Sequence, residues 1–224
     1  MKRSFRFFSF WLLIALGAAT VVFNSCGNDE DKAWKEGTDP IIEDESTIPN
    51  DVNGVVINGI RWATCNVAAP GEFVDKPIEV GMMYQWNRKI GWSINSNDDW
   101  DKSTPTGATW EKVNDPCPAG WRMPSQSELK ALISSGSVYV KVNNVPGRKF
   151  GSGSNTIFLP FAGYLNRSDG KPSLSSTHGY YWSSSMQNNS PSAYYLYFTD
   201  RGSAHVYSSI VNGGDGHSCR CVAE

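Results

Sequence analysis

Asp115-Pro116-Cys117-Pro118-Ala119-Gly120-Trp121-Arg122-Met123-Pro124-Ser125-Gln126-Ser127-Glu128 is the most informative run of this sequence. Its last four residues form a capping box: Ser125 caps the helix start and Glu128 reaches back to it. Pro124 precedes the cap, Leu129, Leu132 and Ile133 give an apolar stripe, and Gly136 ends the run, which predicts one helix. Immediately afterwards the period changes to two, with Val138, Val140 and Val142 alternating with polar positions. Short strands follow at Ile157–Leu159, Tyr180–Trp182, Ala193–Thr199, Ser203–Ser209 and His217–Val222, separated by Gly, Asn, Ser and Asp. Upstream, Val55–Ile57 and Ile60–Thr64 flank an Asn58-Gly59 turn, a hairpin signal. Residues 70–115 are long and irregular, and Trp86, Trp92, Trp100 and Trp110 are expected to pin them to the core. One helix among many short strands predicts an α+β domain dominated by antiparallel sheet.

The chain ahead of this domain reads differently. Lys2, Arg3 and Arg6 precede an apolar run from Phe7 to Phe23, and Phe23-Asn24-Ser25-Cys26 follows. Basic, apolar and then small is the layout of a secretory signal over residues 1–25. A Cys at the cut resembles the lipobox, so Cys26 is the expected lipidated N-terminus; the alternative is an uncleaved membrane anchor. Between residues 27 and 51 nine acids face two bases, a net charge of −7 without apolar periodicity, so residues 26–51 are expected to form an acidic flexible tether. Its start, Gly27-Asn28-Asp29-Glu30-Asp31, is similar to the acidic export signal of surface-exposed lipoproteins. Residues 52–224 then carry 13 acids and 15 bases. Such a near-neutral domain gives no broad nucleic-acid field, and a single apolar stretch excludes a polytopic membrane protein.

Of five cysteines, Cys26 is assigned to lipid, leaving Cys65, Cys117, Cys219 and Cys221, an even number in an exported chain. Cys219 and Cys221 sit two apart on a strand, about 7 Å from each other on one face, too far for a mutual bridge. Two connectivities remain, and Cys117–Cys221 with Cys65–Cys219 is the expected one. A zinc site is the rival, but Cys-x-Cys with no paired His is a poor match.

Five strings occur in order: Ile60-Arg61-Trp62-Ala63-Thr64, Asp115 through Pro124, Asn155 through Tyr164, Tyr181-Trp182-Ser183-Ser184, and Arg220-Cys221-Val222. Together they resemble the Fibrobacter succinogenes major paralogous domain, found in exported lipoproteins of gut Bacteroidales, over nearly all of residues 52–224. The resemblance implies a C-type-lectin-like fold, related to the domain of formylglycine-generating enzymes, in which the two chain ends pair as neighbouring strands. It implies an outer-membrane lipoprotein exposed at the cell surface. Cys65 and Cys219 depart from the family pattern, which more often has Arg and Val there.

No HExxH, GxSxG or P-loop is present, and there are three histidines, His178, His205 and His217. The chain is therefore expected to be non-enzymatic, with no cofactor and no metal. Asn95 through Asp101 is oxygen-rich, but Trp100 stands where a calcium loop needs Gly and Thr106 where it needs Glu. Alternation points instead to a binding surface. In the strand at 194–199, Leu196 and Phe198 share one face with Tyr194, while Tyr195 and Tyr197 share the other with Thr199. In the next strand Val206 faces one way and His205 and Tyr207 the other. With the aliphatic side buried, Tyr195, Tyr197, His205 and Tyr207 form an aromatic patch, rimmed by Asn188, Asn189, Asp200, Arg201 and Asn212. The expected partner is a glycan or protein ligand; the alternatives are tyrosines packed under the 70–115 segment, or a structural subunit of a surface fimbria or glycan-uptake complex.

Overall fold

The computed structural model describes residues 39–95, 100–210 and 214–224. The expected signal at 1–25, the lipidation site Cys26 and the rim residue Asn212 lie outside the described residues. In chain order the strands are β1 Ile41–Glu43, β2 Val55–Ile57, β3 Ile60–Trp62, β4 Met83–Gln85, β5 Gly91–Trp92 and β6 Trp121–Arg122. After the helix α1 Gln126–Ser134 come β7 Ser137–Val142, β8 Val145–Ser152, β9 Asn155–Pro160, β10 Tyr164–Leu165 and β11 Pro172–Ser173. The chain closes with β12 His178–Met186, β13 Ser192–Thr199, β14 His205–Ile210, β15 Gly216–Ser218 and β16 Val222–Ala223.

These strands make three sheets: β1-β7-β8-β9, β2-β3-β16-β6, and an eight-stranded sheet ordered β11-β10-β15-β12-β13-β14, with β4 on β15 and β5 on β4. With 40% strand and 8% helix the domain is β-rich, which corrects the expected α+β, C-type-lectin-like class. The largest addition is β8, whose Pro146, Gly147 and Gly151 hide it from a propensity reading. Gly147 is required there, because a Cβ would stand 2.5 Å from both the Leu159 carbonyl and the Phe158 ring. The predicted helix does form, with the Ser125–Glu128 capping box intact. Its Leu129 and Leu132 pack with Tyr181, Leu196 and Phe198 from the inner face of the large sheet.

Residues 39–51 also correct the expected tether. Ile41–Glu43 pair in parallel with Val140–Val142, and Ile48 is buried beside Val140, Val142 and Phe158. The acids that look like a solvated run find bases: Glu43 pairs with Lys149, and Glu45 with Lys76 at 3.2 Å. The folded unit therefore starts ahead of Asp51.

At the other end, Val222 of β16 sits between Trp62 of β3 and Arg122 of β6, so the last strand is enclosed by early ones. Cys117–Cys221 is bonded, with Cα atoms 6.1 Å apart. The expected Cys65–Cys219 bridge is absent, and both thiols are free and buried. The strand pairing explains this. Ala63 N–H donates to Cys221 O and Val67 N–H to Cys219 O, leaving Cys65 between them. Cys219 belongs to the cluster of Tyr84, Trp86 and Trp182, whereas the Cys65 thiol donates to Asn50 Oδ1 at 3.3 Å. Burial raises the pKa of both thiols.

The position between the cysteines is more consequential. Arg220 is 1% exposed, and among the described residues no acid pairs with it. Its guanidinium donates to Asn66 Oδ1, to the carbonyls of Ala63 and Thr64, and to Phe158 O at 3.0 Å. One side chain thus ties the first hairpin, β9 and the C-terminal segment together.

Candidate functional site: an aromatic sheet face

The strand register assembles the face. Across β12, β13 and β14, Tyr180 stands opposite Tyr197 and Tyr197 opposite His205; Trp182 stands opposite Tyr195 and Tyr195 opposite Tyr207. The inner side holds Leu196 and Phe198, both fully buried, and the half-buried Val206. The alternation expected for this region is the one present. Outward, His205 and Tyr207 are exposed, Tyr207 by 47%, while Tyr195 and Tyr197 are half-buried. The rings form a connected sheet of contacts: His205–Tyr207 stacked at 5.6 Å, Tyr197–Tyr207 at 5.6 Å and Tyr180–Tyr197 edge-on at 5.2 Å.

Half of this outer face is roofed by the long Trp-rich segment. Trp86 Nε1 donates to Ser183 O, Trp182 Nε1 to Tyr84 O, and Trp86 and Trp110 cluster with Trp182 and Ala193. Trp86, Trp100 and Trp110 are buried, and Trp92 packs on Trp100 at 4.9 Å, so the pinning tryptophans behave as expected. The roof ends at Tyr195. Beyond it Tyr197 is half-buried and His205 and Tyr207 are exposed, so the covered and open readings of the tyrosines each describe one part of the face.

The rim residues are placed apart. Asn188 and Asn189 are exposed on the β12–β13 turn, and Asp200 and Arg201 are exposed on the β13–β14 turn. The eight residues of β13 separate the two turns by roughly 25 Å. The second turn is held from beneath: buried Arg148 donates to Thr199 O at 3.0 Å and Gly202 O at 2.7 Å.

Reaching from β10 to Ser209 on β14, the same face holds a small cavity of about 200 Å³ lined by Tyr164, Tyr180, Tyr195, Ser209, Asp215 and His217. His217 is 2% exposed, stacks on Trp182 at 3.9 Å, and its Nδ1 has no hydrogen-bond partner among the described residues. Burial lowers its pKa to about 3, so the imidazole is neutral. Asp215 accepts from Arg167 N–H at 2.9 Å, and burial raises its carboxyl above the usual range. Burial likewise raises Tyr180, Tyr195 and Tyr197, which remain hydroxyl donors at neutral pH. Sequence reading missed Tyr164, His178, Tyr180, Asp215 and His217 as members of this face. Alternation alone could place Tyr180 beside Trp182, but not bring β10 and β15 alongside β12.

A larger cavity of about 690 Å³ lies beside the disulfide, among Lys89, Trp110, Lys112, Trp121, Arg122 and Glu224. Two of its cations are already paired, Lys112 with Glu224 and Arg122 with Glu128, both at 2.7 Å, so size alone does not make it the better site.

The neutral burial of His217 has a measurable consequence. The unfolded chain takes up a proton near pH 6.5 that the folded chain refuses until about pH 3, so stability falls as pH drops through this window. At pH 5 the loss is about 2 kcal/mol. Asp115 and Asp215, raised by burial, act in the opposite direction. Urea melts at pH 7 and pH 5 should therefore differ less in His217→Phe than in the wild type; parallel losses would contradict the assignment.

The fold and the face define the class: a β-rich domain presenting a partly roofed aromatic sheet surface. Within it, a family described as Domain of unknown function (DUF8237) matches residues 143–221, about a third of the chain, running from the β7–β8 turn to the disulfide cysteine and holding every described residue of the aromatic face. No curated protein and no solved structure matches the chain.

Proposed function

We propose that this chain is a surface-anchored lipoprotein whose domain is a non-enzymatic recognition module, binding a glycan or protein ligand on the open half of the aromatic face. The observation that carries the reading is the row of half-buried Tyr197 and exposed His205 and Tyr207 on a sheet backed by Leu196, Phe198 and α1. Tyr rings bring large area, few rotamers and a polar tip, as contact surfaces require. Lipid on Cys26 supplies the outer-membrane anchor and the acidic residues after it the reach. The resemblance to the Fibrobacter succinogenes major paralogous domain supports an exported, surface-displayed protein. A structural subunit role is the second reading, favoured by β14, the last strand of its sheet, whose outer edge is unpaired among the described residues.

Tyr195 also packs against Trp182 and His217, so its removal mixes folding with binding. Tyr197→Ala with Tyr207→Ala separates them. On a glycan and host-protein array the double variant should lose binding by at least about tenfold. Its melting temperature should stay within about 4 °C of the wild type. Retained binding, or a collapse of the melting transition, would sink the reading; co-purification with filament or transporter partners and no array signal would favour assembly.

A further inference from the structure

The small cavity beside the open face has an unusual charge pattern. Asp215 is its one carboxylate, half-buried beside Tyr164, Tyr180, Tyr195 and the neutral His217. Among the described residues no Lys or Arg side chain lies within ion-pair distance of it. Its hydrogen bond comes from the backbone N–H of Arg167, whose exposed guanidinium also favours the ionised carboxyl without coming within ion-pair distance. A half-buried carboxylate with one backbone N–H on it keeps acceptor capacity for a cation in the cavity. The rings around it are close-set: Tyr164–Tyr180 centroids are 5.1 Å apart, Tyr180–Tyr195 5.8 Å, and His217 lies 5.3 Å from Tyr180 and 5.0 Å from Tyr195. A cation within about 6 Å of a phenol ring is attracted by its quadrupole, and here several rings come within reach at once.

We propose that this cavity binds the ammonium group of a ligand, with Asp215 as counter-ion and Tyr164, Tyr180 and Tyr195 as the aromatic wall. The proposal rests on the recognition reading above and names the chemistry its ligand carries next to the open face. At about 200 Å³ the space falls below that of drug-sized pockets and suits one amine-bearing group of a larger ligand. The neutral His217 on its floor adds no opposing charge, and the tyrosine hydroxyls can accept the remaining ammonium N–H donors. An amino sugar and a lysine side chain both present this group.

The full chain is titrated by NMR with D-glucosamine and with n-butylammonium, each against its neutral counterpart, N-acetyl-D-glucosamine and 1-butanol. Ring signals of Tyr180, Tyr195 and His217 should shift with the amines, and the neutral partners should need at least about tenfold higher concentration. Stronger response to glucosamine identifies a sugar source, and to butylammonium a lysine source. Asp215→Asn, which keeps an acceptor for the Arg167 N–H, should abolish the preference for charge. Ser209→Lys, at a partly exposed position on the wall, should fill the space with its own ammonium and remove binding; it decides the matter if Asp215→Asn does not fold. Equal response to charged and neutral probes, or unaltered amine binding in both variants, overturns the proposal. If amines fail while an array ligand still depends on Tyr197 and Tyr207, the cavity assignment falls and the recognition reading stands.

Discussion

Arg220→Met should lower the unfolding free energy by about 3 kcal/mol or more, read as a shifted urea midpoint with an unchanged slope. Four acceptors on two segments lose their donor together: Asn66 Oδ1 and the carbonyls of Ala63 and Thr64 on one, and Phe158 O on the other. Each unsatisfied buried acceptor costs about 1–3 kcal/mol, partly offset because a guanidinium is no longer held out of water. Burial already pulls the Arg220 pKa below its ordinary value, and the carbonyl cradle is what keeps the charge tolerable. Arg220→Lys should not rescue, since one ammonium cannot reproduce a fork that bridges residues 63–66 and Phe158. A loss under about 1 kcal/mol would show that the cradle is incidental.

The second large effect belongs to the disulfide. Cys117 and Cys221 are separated by 104 residues, so their bond closes most of the domain into one loop. Cys117→Ala with Cys221→Ala should cost about 4 kcal/mol through the freed unfolded chain. The change should also loosen β16 from β6, which the bridge fastens. Cys65→Ala and Cys219→Ala, by contrast, remove thiols that bridge nothing and should each cost far less than the pair. Equal losses in the two experiments would contradict the assignment.

Local chemistry made part of this architecture readable. The capping box placed α1 at Ser125, and Asn58-Gly59 placed the first turn, where Asn58 has φ 50° and Gly59 φ 78°. Period two separated Leu196 and Phe198 from Tyr197, and His205 from Val206, because one buried face imposes strict alternation. What was not readable depends on distant partners. Strand β8 carries Pro146 and two glycines, so only its ladder with β7 and β9 defines it. The acids at 43 and 45 look solvated until Lys149 and Lys76 are brought to them. The free state of Cys65 and Cys219 follows from a strand pairing in which Cys65 meets Asn50 instead, and spacing alone does not encode it. Likewise, Asp215 and Tyr164 join the aromatic face only through the β10–β15–β12 order.

A recognition surface on this face can be read by hydroxyl-radical footprinting of the full chain, followed by mass spectrometry with and without the ligand that the array identifies. In the free chain Tyr207 and His205 should be readily oxidised while Tyr181 and Trp182, each 1% exposed, stay protected. Ligand should then shield Tyr197, His205 and Tyr207 together. Tyr207 already protected in the free chain, or unchanged reactivity of all three on binding, would contradict a recognition surface on this face.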